Sequence, residues 1–223
     1  FAIDTDKMAD SGYQSGEVGF SFGTSFEQYD NLFFSPSFKT VSEKLETNSL
    51  ASTSIKKQEG SYFTSTVGYA FDYDLRNQKF QTSDGFRSKF FQTLPVLSDS
   101  NTVTSGYFFD KYLTISETTG SVGFYLKNAV GLSDDVRVSE RIGLPRKRLR
   151  GFKPGRIGPV DAGDDHVGGN YAAALSITTN LPYIAPTLQN FEFNYFLDFG
   201  NVWGADYRAS NFDDSNFLRV STG

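Results

Sequence analysis

The stretch Thr66-Val67-Gly68-Tyr69-Ala70-Phe71-Asp72-Tyr73-Asp74-Leu75-Arg76 splits into two alternating sets. Val67, Tyr69, Phe71, Tyr73 and Leu75 are apolar or aromatic, whereas Thr66, Gly68, Ala70, Asp72, Asp74 and Arg76 are small or charged. Successive side chains of a strand point to opposite faces, so this period of two predicts a strand with one greasy side and one polar side. The same split returns at Val18, Phe20, Phe22 and Phe26 against Glu17, Gly19, Ser21, Gly23 and Ser25. It returns again at Tyr171, Ala173, Leu175, Ile177 and Leu181 against Asn170, Ala172, Ala174, Ser176, Thr178 and Asn180. A further copy sets Phe191, Phe193, Tyr195, Leu197 and Phe199 against Glu192, Asn194, Phe196, Asp198 and Gly200.

Extended over the chain, the pattern predicts about nine strands, near 16–27, 31–45, 61–76, 85–97, 101–115, 119–131, 169–182, 189–204 and from 217 onward. Pro36 and Pro95 interrupt two of them by removing a ladder donor, and 101–115 mixes its faces. Most run longer than the ~5 to 6 residues usual in globular sheets and reach the ~9 to 11 needed to cross a bilayer at a tilt. The links Gln28-Tyr29-Asp30, Gln81-Thr82-Ser83-Asp84, Ser116-Glu117-Thr118 and Ala185-Pro186-Thr187 read as turns. The long links are 46–60 and above all 133–168, and a connection of that length is usually functional or disordered. A soluble β-sandwich would also alternate faces, so pattern alone leaves sandwich and membrane barrel both open.

Composition narrows the function classes. Of 223 residues, 38% are hydrophobic and 21% charged, which suits a folded domain. The 23 Phe, 12 Tyr and 21 Gly favour strands. A net charge of -5 argues against a nucleic-acid partner, and the absence of cysteine removes disulfides, thiolate metal sites and a Cys nucleophile. No run is apolar for the ~18 residues of a membrane helix. Asp161, Asp164, Asp165 and His166 form an acidic stretch that reads as an exposed loop, so neither metal nor cofactor is expected. Asp72 and Asp74 lack a partner acid and no nucleophile or phosphate-loop signature occurs, so no enzyme is expected. The chain starts Phe1-Ala2-Ile3-Asp4 without an initiator Met and ends as a strand opens, so it is expected to be a fragment.

Within the long connection stand Arg146-Lys147-Arg148-Leu149-Arg150-Gly151-Phe152 and later Gly168-Gly169-Asn170; Asp198-Phe199-Gly200-Asn201-Val202-Trp203 and Leu218-Arg219-Val220-Ser221-Thr222-Gly223 follow. Asp198 shares its strand's polar face with Glu192 and Asn194, so in a barrel it points into the lumen. A carboxylate there calls for a cation, and Arg150 can hold it with a planar bidentate fork. Gly151 lets the backbone turn tightly and Phe152 offers an apolar anchor. Glu192, roughly 20 Å along the strand at ~3.3 Å per residue, is too distant to replace Asp198. Arg146, Lys147 and Arg148 are expected to face solvent or lipid headgroups.

In their order and spacing these motifs resemble the BamA family of bacterial outer-membrane β-barrel assembly factors, whose sixth extracellular loop carries Arg-Gly-Phe and folds back into the lumen. The resemblance implies an all-β fold: a partial antiparallel transmembrane β-barrel of about eight to nine strands out of sixteen, with an inward-folded loop over 133–168. Residues 1–223 would be a fragment of the C-terminal barrel domain, from the sixth strand to the start of the fourteenth, with POTRA domains and terminal strands absent. It implies a protein of the bacterial outer membrane that catalyses folding and insertion of β-barrel proteins. The partners would be nascent outer-membrane proteins, accessory lipoproteins and outer-membrane lipid. A two-partner secretion transporter, which shares the Arg-Gly-Phe loop, or another translocation pore is the alternative. The site implied comprises Arg150, Gly151, Phe152 and Asp198, supported by Gly168, Gly169, Asn170 and Gly200. The family also pairs the loop arginine with a Glu where this chain has Thr178, which puts that contact in doubt.

Overall fold

The computed structural model describes residues 1–7, 12–161, 165–181, 193–206, 213–214 and 217–223. The Ala185-Pro186-Thr187 turn, Phe191, Glu192 and Asp164 fall outside them. Thirteen strands are described: β1 Ala2–Lys7, β2 Tyr13–Gly23, β3 Phe26–Tyr29, β4 Leu32–Thr47, β5 Gly60–Asp74, β6 Gly85–Ser98, β7 Thr102–Ile115, β8 Thr118–Gly131, β9 Val160–Asp161, β10 Asp165–His166, β11 Tyr171–Asn180, β12 Asn194–Trp203 and β13 Arg219–Thr222. Among the described residues helical structure is limited to a single turn, α1 Thr53–Lys56, and a 3-10 turn at Arg146–Arg148. No described helix is long and apolar enough to cross a membrane.

Eleven strands form one antiparallel sheet in the order β1-β2-β4-β5-β6-β7-β8-β11-β12-β13, with β3 prolonging β2 along β4. Neighbours in sequence are neighbours in space, as tight antiparallel links require. Among the described residues β1 and β13 do not pair with each other, so the sheet is open. The sequence pattern foresaw the wall from β2 onward and missed β1, whose Ala2-Ile3-Asp4-Thr5-Asp6-Lys7 carries too little apolar alternation to signal a strand.

Both prolines sit where the ladder is already broken. Pro36 accepts from the Thr24 amide, and its missing N–H faces the same side, where β2 gives way to β3. Pro95 lies at a bulge, since Ser65 pairs with Leu97 and Thr66 with Pro95, leaving Val96 extra. The connection between β7 and β8 tightens to Ser116-Glu117, with Ser116 in the left-handed region.

The two faces are used differently. Val18, Phe20, Phe22, Val67, Phe71, Phe124, Leu126, Ile177, Phe193 and Tyr195 are exposed on the outer face, a band far too apolar for water. Phe34 against Phe71, Tyr69 against Phe90 and Phe86 against Phe109 tile that band across strands. Over β8, β11 and β12 the inner face is covered by the described residues of the 132–170 connection. Val136, Ile142, Leu144, Leu149 and Ile157 from that loop pack on Tyr125, Ala129, Ala172, Ala174 and Val202 of the wall. Small wall side chains leave room for the loop; the same alternation that puts Tyr171 outside puts Ala172 and Ala174 inside. β7 mixes its faces for the same reason: Phe108 points inward, between Phe91 and Tyr125, and Phe152 joins it against the loop's core.

At the end of the sheet carrying the long connections, a second core gathers Tyr13, Leu45, Ala51, Ile55, Val138 and Val167. Ser52 caps α1 by accepting from the Ile55 amide and donates to Asp161, which ties the 48–59 connection to the long loop.

Candidate functional site: the docked loop

The loop tip is positioned by charge. Its 3-10 turn ends at Arg148, and after Leu149, whose side chain is buried in the core, comes Arg150; Arg148 reaches Asp110 of β7 and Arg150 reaches Asp198 of β12. Arg150 donates from Nε to Asp198 Oδ2 at 2.7 Å and from Nη2 to Oδ1 at 2.6 Å, and its backbone N–H adds a third bond to Oδ2 at 3.0 Å. The guanidinium carbon stands 3.9 Å from the centroid of Phe196, two residues along β12, so the cation is stacked as well as paired. Phe196 looks out of place on a polar face in the sequence, and this contact accounts for it.

Thr178 does not leave the arginine short of a partner: Arg150 Nη2 also donates to Thr178 Oγ1 at 3.0 Å. Thr178 lies on β11 directly opposite Phe196 of β12, so one arginine stitches two adjacent strands. The neutral hydroxyl replaces a carboxylate's hydrogen bond and leaves its charge out. Gly151 follows with φ of 81°, the left-handed conformation that turns the chain back after the arginine.

The other named glycines hold the loop's return. Gly169 bridges Ile142, and a Cβ on it would come 2.6 Å from the carbonyl oxygen of Trp203. Gly168 carries a positive φ of 70°. Asn170 is buried; its side-chain amide donates to Asp206 at 2.6 Å, and the same Asp206 accepts from the Val136 amide at the loop's start. Gly200 faces Leu144, which would stand 3.0 Å from an added Cβ, so the loop rests on bare backbone there.

One expectation is corrected. Arg148 faces neither solvent nor headgroups: it is buried, and its Nη1 and Nη2 donate to Asp110 Oδ1 and Oδ2 at 2.7 and 3.0 Å. The pair sits on Gly123 of β8, where a Cβ would lie 2.6 Å from Asp110 Oδ1 and 2.7 Å from Arg148 Nη1. Arg146 and Lys147 are exposed, as foreseen. A lumen-facing carboxylate on β7 carried the same signal as Asp198 and would have pointed to a second arginine.

A third cluster, unforeseen in the sequence, holds the loop's beginning. Arg137 lies over the Tyr62 ring at 4.1 Å and donates to Glu140 at 3.0 Å and to Thr64 at 3.3 Å, with Glu43 at 3.7 Å. Glu140 in turn accepts from Ser100 and Thr102, both at 2.7 Å. One Arg–Glu pair thereby links β4, β5 and the start of β7 across the inside of the sheet. Asp72 and Asp74 are engaged by Arg87 and Arg76. A second correction falls on the acidic stretch: it is no exposed loop, for Asp161 is buried and Asp165 and His166 are half-buried in the β9–β10 hairpin, and no three His, Asp or Glu side chains converge as a metal site among the described residues.

The chain belongs to the Omp85 superfamily: the model of the Omp85 superfamily domain matches residues 2–223. A search of curated proteins by sequence found no match. Among solved structures, it is similar to the crystal structure of BamA from Haemophilus ducreyi lacking POTRA domains 1-3, with a TM-score of 0.78 and 20% identity over 95% of this chain and 48% of that one. It therefore spans about half the length of that structure, and a likeness at this identity establishes the fold. The class so defined is the Omp85 superfamily domain, here an antiparallel β-sheet with a loop docked on its inner face.

Proposed function

We propose that residues 1–223 are part of the barrel domain of a bacterial outer-membrane assembly factor that catalyses folding and insertion of β-barrel proteins. The carrying observation is the loop docked against the inner wall through Arg150, Asp198 and Thr178, inside a sheet whose outer face is aromatic and aliphatic. An open polar lumen would serve passive diffusion; a lumen spanned by a braced loop suits a wall that must hold its shape while client strands add beside it. The work is mechanical and interfacial, with no covalent chemistry, nucleotide or cofactor. Unfolded outer-membrane barrels are the partners, with accessory lipoproteins and the surrounding lipid.

The test is reconstitution of the full-length protein in liposomes with an urea-unfolded barrel client. Faster appearance of folded, protease-resistant client than in empty liposomes supports the reading. Unchanged insertion together with a large open-channel conductance would favour the two-partner secretion transporter instead.

A further inference from the structure

Below the loop tip, on the side nearer the 75–84 connection, a cavity of about 220 Å³ is lined by Arg87, Lys89, Phe108, Asp110, Lys147 and Arg148. Four cations thus meet there, and the carboxylates in reach are Asp110, Asp72 and Asp74. All three are already claimed in bidentate fashion, Asp72 by Arg87, Asp110 by Arg148 and Asp74 by Arg76. Lys89 is held no closer than 3.6 Å from Asp72, and Lys147 has no partner among the described residues. Arg148, with its side chain 10% exposed, keeps a buried Nε that finds no acceptor. Phe108 supplies an apolar wall, which raises the field of the surrounding charges by excluding water from one side.

A concave site with surplus positive charge and two lysines that no carboxylate holds closely has the chemistry of an oxyanion receptor. We propose that this cavity binds a phosphate group, held between Lys89, Lys147 and Arg148 beneath the docked loop. Phosphate fits better than a monovalent halide because its several oxygens can accept from both lysines at once, beside the charge of Arg148. The group could be inorganic phosphate or the phosphate of a lipid headgroup, and its place under the tip would add a bridge between loop and wall. The inference does not depend on whether the full protein inserts or transports its clients.

Calorimetric titration of the full-length protein in a zwitterionic detergent free of phosphate, at constant ionic strength, tests it with two probes, sodium phosphate and glycerol phosphate. Saturable binding in the millimolar range or tighter is expected, weakened about tenfold or more in the Lys89→Gln/Lys147→Gln variant, as loss of charge-assisted hydrogen bonds implies. Saturation by inorganic phosphate assigns a soluble ligand; saturation by glycerol phosphate alone assigns a headgroup. Should the double variant fail to fold, Lys147→Gln at its exposed position carries the same comparison. Absence of saturable binding with both probes, equal affinity in wild type and variant, or displacement by chloride at matched ionic strength overturns the proposal.

Discussion

Arg148 and Arg150 stand two residues apart and each grips an inward-facing aspartate with two guanidinium bonds, yet the two pairs are sealed from opposite sides. Asp198 is fully buried at 0% exposure opposite an Arg150 side chain that is 30% exposed, whereas Arg148 is 10% exposed opposite an Asp110 that is 28% exposed. In one pair the anion has no route to water; in the other the cation has little. An unpaired charge is costly in proportion to how little solvent can replace its partner. Matching geometry therefore does not mean matching roles, and which partner matters more should invert between the pairs.

That inversion is open to breakage. Arg150→Ala, which strands the sealed carboxylate, should have the largest effect: about 3 kcal/mol off the unfolding free energy of the full-length protein in detergent, at the lower end for a buried pair because the arginine is partly wet. Asp198→Ala should cost less, about 2 kcal/mol, since Arg150 keeps Thr178, Phe196 and access to water. Arg150→Lys should fall between wild type and Arg150→Ala, for it retains the charge and loses the planar fork. Equal losses for Arg150→Ala and Asp198→Ala in denaturant titrations would undo the comparison.

For the second pair the order reverses. Asp110→Ala, which strands the buried Arg148, should cost about 2 kcal/mol and Arg148→Ala about 1 kcal/mol, each read from the same titrations. Limited proteolysis of the 133–168 loop should rank these variants in the same order. Double-mutant cycles sharpen the picture: coupling of about 1 kcal/mol or more is expected within each pair. Additive behaviour within a pair would reduce that contact to mere proximity.

The smallest effects separate docking residues from bystanders. Thr178→Val removes one hydrogen bond to a cation that keeps its carboxylate, so a loss of about 1 kcal/mol is expected. Arg146→Ala, at an exposed position beside both anchors, should change stability by less than about 0.5 kcal/mol. A cost at Arg146 comparable to that at Arg148 would show that net loop charge, rather than specific pairing, holds the tip.

Much of the wall was legible in the chain because strand side chains alternate strictly: Val67, Tyr69 and Phe71 had to share a face whatever lay around them. The Arg150–Asp198 contact was legible for a related reason. Parity put Asp198 on the polar face, which is the inner one in a barrel, and a loop long enough to return supplied Arg150, followed by a glycine and a phenylalanine. Arg148 was misread because the sequence of a basic run does not say which member turns inward. Only the 3-10 turn, with Leu149 buried between arginines that reach β7 and β12, settles that.

The sequence by itself determined the strands, the split of each into an aromatic and a polar face, the long connection at 133–168 and the place of Asp198 on the polar face of β12, since each follows from local periodicity or from parity along one strand; that the aromatic face is the outer one was decided by the docked loop. The tertiary structure decided the rest: that β1 adds to the sheet, that Gly123 and Gly200 are seats for the loop, that Arg148 finds Asp110, and that Arg137, Glu43 and Glu140 join three strands. Those facts depend on which residues of distant strands come level with one another when the sheet curls. Register and curvature are properties of the whole sheet and its docked loop, and no single segment carries them.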